Sequence, residues 1–265
     1  MHLELISRYP ATETKSVPLL FVHGAFAGAA IWDKYFLPYF AQHGYPAHAV
    51  SLRGHGASPG RDQLRWWSLD DYVADLKQAV QSVERLPVLI GHSMGGMVVQ
   101  KYLESATAAG MVLMASVPPQ GLLPTVWRMT VANPSLLYQF TLLQYFGPRF
   151  VPLAALRQAL FSEDTPDALL MSYLSLLQGE SQRVSLDMLG LSPLRLNGKP
   201  ELPVLVMGAG QDAFVSTGSV METARYYGAE SVTFPDLAHA MMLEGKWRQV
   251  ADHLLHWLNR RCVPG

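Results

Sequence analysis

Leu86-Pro-Val-Leu-Ile-Gly-His-Ser-Met-Gly-Gly96 reads as a short apolar run, a sharp turn and the start of a helix, and the turn carries Gly91-x-Ser93-x-Gly95. A serine at the top of a strand-to-helix turn is forced into a positive-φ backbone that projects its hydroxyl into the open. Glycines two residues to either side remove the Cβ atoms that would collide with the strand and the helix. The helix that follows points free N–H groups and a positive dipole end back at the serine, which is useful where negative charge develops. The chemistry this permits is nucleophilic attack by Ser93. The five-residue pattern alone is common by chance. Val88-Leu-Ile90 before it and Met97-Val-Val-Gln-Lys-Tyr-Leu-Glu104 after it supply the strand and the helix that turn a pattern into a geometry.

A serine hydroxyl is a poor nucleophile near neutral pH and needs an adjacent base, for which histidine is suited by its pKa. Elbows of this kind are followed in the chain by an acid and then a histidine. His239 is the candidate base. His2, His43, His48, His253 and His256 sit in strand or helix contexts, His55 sits in a glycine loop, and His92 is expected to point away from its neighbour Ser93. Asp212 ends an apolar run after Gly208 and Gly210 and is the candidate acid, which must hold the imidazole tautomer. Asp236 is the alternative acid, and Glu244 is expected to cap or charge the start of the last helix. Negative charge on a reacting carbonyl oxygen needs two backbone donors. Met94 supplies one, and the second is expected from Ala25 in His23-Gly24-Ala25-Phe26, with His23 supporting that loop.

Composition bounds the alternatives. The chain has 265 residues, 49% of them hydrophobic, enough for one large α/β domain with an insertion or two small domains. The formal net charge is −1 and no Lys/Arg cluster stands out, which argues against nucleic acid and anionic membrane as partners. The single cysteine, Cys262, allows no intrachain disulfide. No signal peptide and no membrane span are visible, so a soluble cytoplasmic protein is expected. No His/Cys/Asp cluster has metal-ligand spacing and no phosphate-binding loop appears, so no cofactor is expected.

The elements that must position these residues follow from periodicity. Strands are expected at His2–Tyr9 (an edge strand), Leu19–Val22, Ala47–Leu52, the elbow strand, Met111–Ala115, Val204–Met207 and Ser231–Phe234. Helices are expected at Ala29–His43, Ser68–Val83 with Ser68 and Asp71 forming a capping box, Met97 to about Thr107, Met221–Gly228 and Lys246–Arg261. From Pro118 to Leu196 no strand rhythm is visible; apolar residues recur at helical spacing between Pro134, Pro148, Pro152 and Pro166. Strands alternating with helices imply a mostly parallel, doubly wound sheet covered on both faces. Chemistry in such sheets sits at the carboxyl ends of the strands. His23, Ser93, Asp212 and His239 all fall there.

His23-Gly24, Leu52-Arg-Gly-His-Gly-Ala-Ser58, Gly91-His-Ser-Met-Gly95, Gly208-Ala-Gly-Gln-Asp212 and Ala238-His-Ala-Met-Met-Leu-Glu244 together resemble the α/β-hydrolase superfamily, close to its esterase/lipase-like branch. The resemblance covers roughly residues 15–118 and 200–260. It implies an α/β-hydrolase core at 1–117 and 201–265, with a helical cap at 118–200 inserted after the sixth strand. It also implies a Ser93–Asp212–His239 triad with an oxyanion hole at Ala25 and Met94. Relatives often carry Asp where this chain has Ser51 and Gly where it has Ala238, and the N-terminus is short for the family's opening strands.

The cap is rich in Leu, Met, Phe and Tyr and sparse in charge, so the space over Ser93 is expected to be apolar and to favour an acyl or aryl group. Phe26, Trp127, Phe140, Phe214 and Met241 are expected to contact the substrate, a small apolar ester cleaved through an acyl-enzyme. Thioester hydrolysis, C–C bond hydrolysis and cofactor-free perhydrolysis use the same triad and remain alternatives. A non-catalytic ligand receptor is the reading of another class, disfavoured by the intact constellation. Oligomeric state is not legible.

Overall fold

Leu19–Val22, Val88–His92 and Gly110–Met114 are buried along their whole length, so neither face of the pleat can meet water. The computed structural model describes residues 1–11, 14–147, 152–195 and 200–262. It forms one seven-stranded sheet from β1 (Leu5–Arg8), β2 (Leu19–Val22), β3 (Ala47–Val50), β4 (Val88–His92), β5 (Gly110–Met114), β6 (Val204–Ala209) and β7 (Glu230–Phe234), in the order β1-β3-β2-β4-β5-β6-β7. Only β1, at the edge, runs antiparallel, paired with β3. β4 lies near the middle, between β2 and β5, and delivers Ser93 to the carboxyl edge.

Helices cover both faces. On one, Trp32, Phe36 and Phe40 from α1 (Ala30–Asp33) and α2 (Phe36–Gln42) pack with Leu254 and Trp257 of α11 (Trp247–Arg261). On the other, Tyr72 and Leu76 of α3 (Leu69–Gln81), Met97 and Val98 of α4 (Met94–Tyr102) and Val220 and Tyr227 of α10 (Thr217–Tyr227) form a second core. The single helix expected at 29–43 is two, broken at Lys34-Tyr35. Pro38 has no N–H to give the Lys34 carbonyl, and its ring crowds that carbonyl. α10 begins before the expected Met221 because Ser216 caps it, accepting from the Ser219 amide. The Ser68–Asp71 capping box is present.

Among the described residues, five α-helices lie between β5 and β6, α5 (Leu123–Ala132), α6 (Pro134–Phe146), α7 (Leu153–Leu160), α8 (Asp167–Leu174) and α9 (Gln182–Leu186), followed by a π-helical turn at Asp187–Leu191. They therefore follow the fifth strand of this sheet, not the sixth. Pro134 opens α6 behind the Asn133 cap, and Pro152 and Pro166 stand at the N-caps of α7 and α8, where a missing N–H costs nothing. Pro148 lies outside the described residues. No helix among the described residues is long and apolar enough to cross a membrane.

The β4–α4 turn is closed by contact. A Cβ on Gly91 would sit 2.5 Å from the Gly95 carbonyl oxygen, and one on Gly95 would sit 2.4 Å from the His23 carbonyl oxygen. Both obstacles are backbone, so neither can move aside cheaply. Gly95→Ala should lower the melting temperature by at least about 2 °C, from an overpacking cost of about 1–3 kcal/mol. Gly245→Ala, where nothing stands within 4 Å of the new methyl, should leave it unchanged. Equal melting curves for the two variants would contradict this account.

Candidate active site

Ser93 sits at φ 51°, ψ −118°, between the last residue of β4 and the first of α4. Its amide donates to the Met114 carbonyl at 3.0 Å, and its carbonyl accepts from Gly96 and Val117. The backbone is thus fixed on both sides while the side chain stays free. The Ser93 hydroxyl lies 2.9 Å from His239 Nε2, and His239 Nδ1 lies 2.8 Å from Asp212 Oδ2. With Nδ1–H donating to the carboxylate, Nε2 is left to accept the serine proton. The other Asp212 oxygen, Oδ1, accepts from the Phe214 and Val215 amides at 2.7 and 2.9 Å, so the carboxylate cannot rotate away. Asp236, the alternative acid, is exposed and paired with Lys246 at 2.9 Å.

The loop after β2 brings Ala25 and Phe26 beside the serine. A Cβ on Gly24 would lie 3.1 Å from Ser93 Cβ and 2.7 Å from His92 Nδ1, so the approach depends on glycine. The Met94 amide is in the first turn of α4, where no intrahelical acceptor exists. The Ala25 amide donates to no carbonyl among the described residues. Both expected donors are therefore free to meet an oxyanion. His23 supports the loop as expected: Nδ1–H donates to the Gly24 carbonyl at 2.7 Å and Nε2 accepts from the Leu52 amide at 3.1 Å. Burial, with the nearby His55, pushes its pKa down to about 3, so it remains neutral.

Two groups play larger parts than the sequence suggested. His92 donates from Nε2 to the His239 carbonyl at 2.9 Å and fixes that loop from behind. Burial and His239 push its pKa down to about 3. Glu244 neither caps nor charges the last helix. It is buried and accepts from the Ala238 amide at 2.6 Å, the Ser162 amide at 3.1 Å and the Ser162 and Thr165 hydroxyls. It therefore joins the His239 loop to the α7–α8 connection, and the Ala240 amide adds a bond to the Leu160 carbonyl. The available signal was an acid inside the apolar run that follows His239. Ser51 donates to Glu4 at 2.6 Å and accepts from the Ala29 amide, which accounts for a hydroxyl where relatives carry Asp.

Over Ser93 lies a cavity of about 100 Å³, partly open to solvent and walled mainly by apolar side chains. Phe26, Phe140 and Phe214 line it, and their rings form a chain that ends on His239, with successive centroids 5.7, 5.5 and 5.0 Å apart. Trp127 and Met241 do not line it. Trp127 is 72% exposed because α5 turns Thr125 and Arg128 inward to the Phe214 carbonyl, leaving Leu123, Trp127 and Val131 on the outer face. Met241 is fully buried in the core with Phe234 and Leu254. A second, smaller apolar cavity, of about 60 Å³, shares the walls Ala25, Leu156, Leu160 and Leu177 with the first. Among the described residues no cluster of His, Cys, Asp and Glu could hold a metal ion.

The chain superposes on a bromoperoxidase from Bacillus anthracis with a TM-score of 0.76 at 19% identity, covering 97% of this chain and 96% of that one. An esterase from Exiguobacterium antarcticum gives 0.74 at 16% identity, covering 97% and 95%. A candidate aryl esterase from Burkholderia cenocepacia gives 0.66 at 25% identity, covering 97% and 96%. No curated protein sequence matches the chain. The alpha/beta hydrolase family model matches residues 19–253, most of the strands and the whole Ser93–Asp212–His239 arrangement included, and the chain belongs to that family.

Proposed function

We propose that this protein is a serine hydrolase that cleaves carboxylic esters of apolar acyl or aryl groups through an acyl-enzyme. The observation that carries the reading is the unbroken relay from Asp212 through His239 to the Ser93 hydroxyl, at 2.8 and 2.9 Å, at the floor of an apolar cavity. Ser93 Oγ adds to the ester carbonyl carbon as its proton passes to His239 Nε2. The carbonyl oxygen becomes an oxyanion facing the Ala25 and Met94 amides. Collapse breaks the bond to the alcohol, which takes the proton from Nε2, and Ser93 is left acylated. Water then repeats the sequence, with His239 as its base, releasing the acid and restoring Ser93.

The segment 118–200 acts in this reading as the cap that chooses the acyl group. Leu136, Phe140 and Leu143 of α6 and Leu156 of α7 face the reacting centre and offer it no charge. The second cavity beyond Leu156 and Leu160 extends the apolar space available to a longer chain.

Ser93→Ala should fold normally and lose p-nitrophenyl ester turnover by at least about 10⁴-fold; undiminished turnover would remove the assignment. Asp212→Asn is a sharper test. The Phe214 and Val215 amides require an oxygen at Oδ1, so the new NH₂ must face His239 Nδ1 and turn it into an acceptor. The proton then sits on Nε2, opposite Ser93, and kcat should fall about 10⁴-fold with KM little changed. Leu143→Trp should cut kcat/KM for an octanoate ester at least about tenfold while sparing the acetate ester. Equal losses on both esters would refute the cap as the acyl selector.

A further inference from the structure

The loop carrying Ala25 is not held by its own strand and helix alone. Phe26 has φ 62°, a conformation that a bulky residue keeps only under external constraint. Both of its backbone polar groups are engaged by the chain that leaves α8. The Phe26 carbonyl accepts from the Gln178 amide at 2.8 Å, and the Phe26 amide donates to Glu180 Oε2 at 3.2 Å. Glu180 is buried beneath the loop and saturated with donors. Its Oε1 accepts from the Tyr72 hydroxyl at 2.8 Å and the Ser181 amide at 2.6 Å, while Oε2 lies 3.2 Å from His55 Nε2. His55 Nδ1–H donates to the Arg53 carbonyl, so an imidazolium suits both of its contacts. Burial works against each charge, but the partners outweigh it: Glu180 is held below the usual carboxylate range and His55 above the usual histidine range.

We propose that Glu180 is a positioning residue for the oxyanion hole: through the Phe26 amide it fixes the peptide next to Ala25 and so aims the Ala25 N–H at the reacting oxygen. This rests on the reading of Ala25 as an oxyanion donor. The Phe26 N–H belongs to the Ala25–Phe26 peptide, and only the two soft torsions of Ala25 separate that plane from the one carrying the Ala25 N–H, so holding the first restrains the second. Loss of the carboxylate would release the strained torsion without touching Ser93, His239 or Asp212, and of the cavity walls only Ala25 and Phe26 would shift. A small acetyl ester would still bind, and the developing oxyanion would lose a donor.

That separates kcat from KM. Glu180→Ala should lower kcat for a p-nitrophenyl acetate substrate by about 10–100-fold, with KM within about threefold of the wild type. Glu180→Leu, close in volume and with no acceptor for the Phe26 amide, carries the same test if the alanine variant does not fold, and kcat should fall with KM little changed. Asp187→Ala is the matched control. Asp187 is equally buried in the segment just beyond, accepts from the Leu69 amide at 3.0 Å and does not reach the loop. Its loss should lower the melting temperature while leaving kcat within about twofold. The proposal is overturned if a folded Glu180 variant keeps wild-type kcat, or if Asp187→Ala loses as much kcat at the same loss of melting temperature. Failure of the esterase reading would look different: the wild type itself would neither turn over the ester nor be labelled by a serine-reactive phosphonate.

Discussion

The positive φ of Ser93 is the constraint around which the molecule is arranged. It costs free energy of order 1–3 kcal/mol and persists because the surroundings leave no alternative. Strand β4 is locked between β2 and β5, α4 starts at once, and Gly24, Gly91 and Gly95 let three backbones meet at distances that a methyl group would forbid. Phe26 and Ala115 share the strained region, and each follows a parallel strand at the same edge of the sheet. The sheet's hydrophobic burial sustains strain where the chain must turn sharply.

A second layer of constraint comes from two carboxylates with no exposure to solvent to speak of. Glu244 ties the His239 loop to the α7–α8 connection, and Glu180 ties the Ala25–Phe26 loop to the chain that leaves α8. Each oxygen accepts from fixed backbone or hydroxyl donors, which is how a carboxylate survives away from water. The helical segment and the sheet edge are in this way joined by directional bonds. Apolar packing alone would allow sliding; a carboxylate bonded to named amides does not.

Much of this was legible in the chain. Ser93, Asp212 and His239 were marked by their position after apolar runs, and the structure brings the three side chains into contact. Phe26 and Phe214 were legible as apolar residues beside those positions, and Phe140 as an apolar residue of the segment 118–200. Met241 looked the same as the first two and Trp127 the same as the third, yet Trp127 faces outward and Met241 inward to the core. Which side of a helix meets a cavity depends on the packing of its neighbours, which composition does not encode. Glu180 and Glu244 were opaque for a related reason. Their partners lie 154 residues away at Phe26 and 82 residues away at Ser162, and nothing local announces such pairs. The break before α2 was legible in principle from Pro38, but the apolar spacing across it was regular enough to read as one helix.

The double tether of the helical segment also bears on how such chains can diversify. Exchange of the segment between relatives is a recombination of parts, and parts recombine only if their fastenings match. A donor segment would have to bring Glu180, Ser162 and Thr165 with it, and the recipient core would have to offer Tyr72, His55 and Glu244. Lining residues such as Leu136 and Leu143 carry no such obligation and are free to drift one at a time. The lining of the cavity is therefore more accessible to change by point substitution inside an inherited segment than by acquisition of a foreign one.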